Sequence, residues 1–146
     1  MRSRRTAVLG GSGFIGRYVV KRLAARGDVV PAGCRNAEVA KFLRPMGDVG
    51  QVEPVSVRID DEVVLPAFLA GSGALVNCVG ILRESGSQTF ERVHHTGPAV
   101  LARIARDAGV IDSSISRQSG RSRVRLPPMP ARRRPARLRC AMPSRR

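Results

Sequence analysis

The residues of this chain best placed to do chemistry are three glycines. Gly10, Gly13 and Gly16 form a G-x-x-G-x-x-G run between a short apolar stretch, Thr6-Ala7-Val8-Leu9, and a segment where Ile15, Val19 and Leu23 recur at helical spacing. Residues without a Cβ suit a backbone that must come close to a phosphate. The first permits a tight turn, the second lets the main chain approach a pyrophosphate, and the third lets the helix lie close on the strand. The N–H groups that open a helix are unpaired and carry partial positive charge. Gly10, Gly11, Ser12, Gly13, Phe14, Ile15 and Gly16 are therefore the candidate dinucleotide cradle. Glycines also mark ordinary turns. A strand before the motif and an apolar-striped helix after it favour the dinucleotide.

Such a cradle needs a sheet and helices to hold it. Val29 to Cys34 predicts a second strand, with Pro31 awkward inside it. Asn36 is placed to cap a helix through Leu43, and Gln51 to Val57 predicts a third strand. A helix follows from Asp60 to Leu69, with Pro66 as a flaw, and Ala74 to Val79 predicts a buried fourth strand. Thr89 to Ala108 is a long helical stretch broken by Gly97-Pro98. Strands alternating with helices predict an α/β fold, a Rossmann-like doubly wound parallel sheet. It is incomplete, with about four strands, because the fifth, due after Ala108-Gly109-Val110, is missing from the pattern.

Composition sets the outer limits. The 146 residues suit one domain, and 42% apolar side chains with only 3% aromatics imply an aliphatic core. No stretch approaches the roughly 18 apolar residues of a membrane span. Met1-Arg2-Ser3-Arg4-Arg5 runs into the first strand without an apolar signal core, which predicts a cytoplasmic protein. Cys34, Cys78 and Cys140 are far apart and read as reduced thiols; His94 and His95 are adjacent and do not form a metal pair. The net charge of +15 is concentrated: residues 113–146 hold 11 arginines, no lysine and no acid, with five prolines among them. The chain thus divides into a nucleotide-binding part, 1–111, and a basic tail, 112–146, predicted to be disordered. Taken at face value, that tail could neutralise nucleic-acid phosphates, which keeps an arginine-tailed nucleic-acid-binding module as the alternative function.

Arg35 follows the second strand, where an acid would hold a ribose 2′-OH and an arginine suits a 2′-phosphate. No Asp or Glu lies between Val29 and Ala37. NADP(H) is therefore the preferred cofactor and NAD(H) the second choice. The other reading of Arg35 is a solvated loop residue in a basic chain.

The hexapeptide Gly11-Ser12-Gly13-Phe14-Ile15-Gly16 resembles the extended and atypical short-chain dehydrogenase/reductases. Phe42 to Gln51, Val76 to Leu82, and Glu84-Ser85-Gly86 with Gln88 and Phe90 resemble the branch containing the NAD(P)H-binding accessory subunit of respiratory complex I. The likeness covers residues 6–110. It implies that the Asn-x-x-Gly segment after the fourth strand lines the nucleotide crevice, through Asn77, Val79 and Gly80; a turn-capping role for Asn77 stays open. It also implies a nicotinamide dinucleotide as ligand, a respiratory-complex or membrane-peripheral partner, and a location at the periphery of the inner membrane. The family places adenine contacts after the third strand, and Arg58 with Asp60-Asp61-Glu62 departs from its common order of charges.

Active members of that family pair Tyr and Lys in Tyr-x-x-x-Lys. Here no tyrosine follows Tyr18 and no lysine follows Lys41, so no catalytic residue is assigned. Read two bases on, codons for Ile111 to Ser116 admit Arg-Phe-Ile-His-Ile-Ser. Codons for Leu126 to Arg133 likewise admit Pro-Ala-Tyr-Ala-Arg-Thr-Lys. A frameshift near Val110 is the expectation.

Overall fold

A computed structural model describes residues 4–81, 83, 84, 86 and 89–115. The chain runs β1 (Thr6–Leu9), α1 (Phe14–Ala25), β2 (Val30–Cys34), a 3₁₀ segment (Val39–Met46), β3 (Val52–Ser56), α2 (Leu65–Leu69) and β4 (Ala74–Asn77). A π-helical turn (Arg92–Thr96) then leads into α3 (Gly97–Asp107) and β5 (Asp112–Ile115). The five strands form one parallel sheet in the order β3-β2-β1-β4-β5.

Side chains alternate across β1. Ala7 and Leu9 point to the layer of α2 and α3, where Leu65, Phe68, Leu69, Leu101 and Ile104 are buried with them. Val8 points the other way, to Val20 and Ala24 of α1 and to Ala40 and Leu43 of the 3₁₀ segment. A sheet covered on both faces needs apolar residues at every strand position, which is why β1 reads as a continuous run. Each fully buried leucine contributes about 1.5–3 kcal/mol.

The fifth strand corrects the sequence reading, which leaves it out. Asp112-Ser113-Ser114-Ile115 carries no apolar alternation, so periodicity is blind to it. Its neighbour specifies it instead. β4 offers a free row of backbone groups, taken up in a register from Ala74↔Asp112 to Asn77↔Ile115, and Arg4 pairs with Asp112 at 3.5 Å. The tail from residue 116 onward lies outside the described residues.

The prolines also resolve differently from their first appearance. Val29 N donates to Arg4 O, whereas Val30 N donates to Gln51 O, so odd positions of β2 face β1. Pro31 therefore removes one rung on that side and leaves the ladder to β3 intact. Asp61 Oδ1 accepts from Val63 N (3.2 Å) and Val64 N (3.0 Å), forming a turn that delays α2 to Leu65. Pro66 then falls in the first helical turn, where its missing donor is harmless. Gly97-Pro98 does not break the long helix, because the π-helical turn carries the chain into α3 and Pro98 again occupies a first turn. Asn36 caps as expected, its Oδ1 accepting from Glu38 N (2.9 Å) and Val39 N (3.3 Å), although the segment it starts is 3₁₀.

Candidate nucleotide site

From β1 the chain steps to β2 and β3 on one side and crosses to β4 on the other. The connections leave β1 in opposite directions, and a crevice opens over its carboxyl end. Gly10, Ser12 and Gly13 form its floor between β1 and α1. Gly10 has φ +79° and turns the chain at once. A Cβ there would stand 2.8 Å from Cys78 C and Val79 N, so the turn packs directly on the backbone after β4. At Gly16 a Cβ would overlap the Gly10 carbonyl oxygen and lie 2.9 Å from Gly11 Cα. Glycine at 16 thus lets α1 start against the turn, with its N-terminal N–H groups free of any side-chain cap. An anion above Gly13 would meet those groups and the positive end of the helix.

Gly33, Cys34 and Arg35 supply the β2 wall. Arg35 is exposed at the rim, and among the described residues nothing pairs with its guanidinium. Val79, Gly80 and Ile81 form the opposite wall, after β4. Asn77 itself is 1% exposed and turned inward, its Oδ1 accepting from Val79 N at 3.0 Å. It fixes the loop whose next residues line the crevice, which is the turn role left open above. Of the remaining cradle residues, Gly11 and Gly16 pack behind the floor. The side chains of Phe14 and Ile15 are 74% and 43% exposed, so only their backbone faces toward an anion. Phe14 meets Tyr18 edge-on at 5.7 Å, a packing role for the one tyrosine.

Sequence reasoning missed the far wall as a unit. Arg58 and Asp60 follow β3 and Arg92 opens the π-helical turn, and all three line the crevice. Asp60 binds Arg92 Nε and pairs with Arg58 Nε at 3.4 Å. The departure in charge order at Arg58 and Asp60 was the available signal; the third member, 32 positions on, had none. Cys34 and Cys78 also face the crevice, and burial pushes both thiols up from their ordinary value. Among the described residues no His, Cys, Asp or Glu cluster could hold a metal ion. Nor is any described helix long and apolar enough to cross a membrane.

The model of the NAD dependent epimerase/dehydratase family matches residues 6–117. The chain belongs to that family. The domain is accordingly an NAD(P)-binding one of the short-chain dehydrogenase/reductase type. Over 105 residues the chain is 35% identical to the mitochondrial NADH dehydrogenase [ubiquinone] 1 alpha subcomplex subunit 9 of Arabidopsis thaliana, covering 71% of this chain and 26% of that one. It is 29% identical over 107 residues to a 4-hydroxy-2-methyl-3-oxo-4-farnesyl-3,4-dihydroquinoline-1-oxide ketoreductase of Stigmatella aurantiaca, covering 73% and 31%. Among solved structures, the dTDP-glucose 4,6-dehydratase DesIV of Streptomyces venezuelae, with NAD and TYD bound, matches with TM-score 0.64 and 27% identity. That match covers 75% of this chain and 38% of DesIV. The chain thus spans roughly a quarter to a third of the curated relatives it matches. These relatives give the nucleic-acid reading of the tail no support.

Proposed function

We propose that the chain is the cofactor-binding portion of a reductase-like subunit that takes NADP(H) in preference to NAD(H) and serves a respiratory complex. Arg35 carries the first part. Among the described residues its guanidinium has no partner; it stands at the rim of the crevice, at the end of β2, where the adenosine ribose of a dinucleotide lies in such folds. A 2′-phosphate gives it a charged, bidentate partner; a 2′-OH does not, and β2 with the residues up to Ala37 carries no acid to bind the 2′-OH. The likeness to complex I subunits supports the second part.

In this reading the chain's own groups bind and orient. The backbone around Gly10 and Gly13 holds the pyrophosphate, and the loop fixed by Asn77 closes the nicotinamide side. The dinucleotide supplies a hydride when bound. Calorimetric titration with NADPH and NADH tests the preference. A hydrogen bond to a charged group is worth about 1.5–3 kcal/mol, so NADPH should bind on the order of tenfold to a hundredfold more tightly. Arg35→Ala should erase most of that ratio and leave NADH affinity nearly unchanged. Equal affinities in the unaltered chain would overturn the assignment.

A further inference from the structure

Arg58 stands on the adenosine side of the crevice, after β3, where nothing above gives it a task. Three arginines line the crevice, Arg35 at the end of β2, Arg58 after β3 and Arg92 at the π-helical turn, with Asp60 as the one acid among the described lining residues. Asp60 is nearly buried, its side chain 16% exposed, and it takes Arg58 through Nε. The contact is an ion pair at 3.4 Å to Oδ1 that leaves the terminal amino groups outside it, while the other carboxylate oxygen, Oδ2, accepts from Arg92 Nε. Among the described residues Arg58 has no other partner, and its side chain is half exposed toward the crevice.

From this geometry we propose that Arg58 is a second ligand of the adenosine 2′-phosphate, opposite Arg35, and that Asp60 is the positioning residue that aims it. The proposal rests on the NADP(H) reading above and adds a specificity determinant to it. Charge supports the assignment. Beyond the pyrophosphate, which the glycine turn and the helix N-terminus hold, a 2′-phosphate brings up to two further negative charges to this end of the ligand. Arg35 alone answers one of them. A second planar fork on the adjacent strand end answers the other, and Asp60 keeps that fork from collapsing into solvent, where a free arginine would spend most of its time in other rotamers.

The positioning role predicts a sign that simple electrostatics would not. If Asp60 only neutralised Arg58, removing its charge would make the wall more positive and tighten NADPH. If Asp60 aims Arg58, removing the charge loosens NADPH although the wall has become more positive.

The experiment is a set of calorimetric titrations of the 146-residue chain with NADPH, NADH, adenosine 2′,5′-bisphosphate and 5′-AMP. Thermal melts of each variant establish that it is folded at the temperature used. Arg58→Met should weaken NADPH and the bisphosphate about tenfold while changing NADH and 5′-AMP by less than about twofold. Asp60→Asn should weaken NADPH by a smaller factor, about threefold, again without moving NADH. In the Arg58→Met background, Asp60→Asn should no longer lower the NADPH/NADH ratio, because the two act as one unit. A merely structural defect would weaken both cofactors alike, so equal losses for NADH and NADPH overturn the proposal. So does a tighter NADPH complex in Asp60→Asn, or an unchanged ratio in Arg58→Met. If Arg35→Ala erases the preference while Arg58→Met leaves it intact, this proposal fails and the NADP(H) reading survives. If the unaltered chain shows no preference, both fail.

Discussion

Gly16→Ala is the sharpest probe of how this crevice is built. The added Cβ would overlap the Gly10 carbonyl oxygen and sit 2.9 Å from both Gly10 C and Gly11 Cα, all of them backbone atoms with no rotamer to yield. Ordinary carbon contacts begin near 3.5 Å, so α1 and the glycine turn must separate by about 1 Å. Overpacking of that size costs about 1–3 kcal/mol, and the rigid surroundings here place it toward the upper end. For a domain this small the melting temperature should fall by roughly 10–15 °C. The same shift moves the N-terminal N–H groups of α1 away from the pyrophosphate. Losing the geometry of one charge-assisted hydrogen bond should weaken NADPH and NADH together, by about tenfold to a hundredfold. Gly27→Ala is the matched control. Gly27 has φ +88° with nothing within 4 Å of its would-be Cβ, so alanine there adds only left-handed strain, about 1–2 kcal/mol, far from the crevice. Its binding should be unchanged. Thermal melts and calorimetry below the melting range decide the matter. A Gly16→Ala protein that melts and binds like the unaltered chain would refute the reasoning, and so would a Gly27→Ala protein with equally weakened binding.

Four further outcomes are expected. Burial alone would raise Asp28, but hydrogen bonds from Arg26 (2.5 Å) and Thr6 (2.9 Å) and the charges of Arg26 and Arg4 outweigh it and hold the carboxyl below its ordinary value. A depressed carboxylate stabilises above its unfolded pKa, near 3.9, and loses that contribution as pH falls through the folded value. Asp28→Asn should therefore cost about 1–3 kcal/mol in urea denaturation at pH 7, with the gap narrowing as pH falls below the unfolded carboxylate value; a gap independent of pH would contradict this. Raised thiols hold little thiolate at neutral pH, so in a Cys140→Ser chain Cys34 and Cys78 should react slowly with a disulfide reagent at pH 7 and faster above pH 9. Saturating NADPH should slow Cys78 further; labelling indifferent to cofactor would place the dinucleotide elsewhere. The 146-residue chain should bind cofactor without turning over any carbonyl substrate, since no phenol–lysine pair relays a proton, and measurable hydride transfer would show otherwise. Finally, sequencing the gene around the codon for Val110 should reveal a frame that restores an apolar strand and Tyr-x-x-x-Lys; neither alternative frame giving that motif would end the frameshift idea.

The parts of this fold legible in the sequence are those where several local signals coincide. At β1 and α1 an apolar run, a glycine spacing and a helical stripe all point one way, and strand, turn and helix fall where expected. β5 shows the reverse case. Asp112-Ser113-Ser114-Ile115 has no intrinsic strand signal, and pairing with β4 alone makes it one. The start of α3 also packs tightly: a Cβ at Gly97 would come within 2.8 Å of Ile59 Cγ2, a contact invisible to periodicity. In the site, the backbone cradle was legible because glycine is the only residue that fits it. The Asp60 hub was not, since Arg58 and Arg92 meet only after β3 and the π-helical turn are brought side by side.

Among the described residues, every one that lines the crevice falls between Gly10 and Val93. That ordering has a consequence for synthesis. The relatives are more than twice as long as this chain, and in a chain of that length emerging from the ribosome these lining residues are made before the remaining length. Translation at about 5–20 residues per second leaves such a unit alone for roughly ten seconds to a minute. A ligand that binds only the folded form stabilises it by RT ln(1 + [L]/Kd), about 2.7 kcal/mol at a hundredfold excess over Kd. A nicotinamide dinucleotide that binds only the folded unit would thereby act on the nascent protein as a folding template, holding its strands in register while later residues are still being translated.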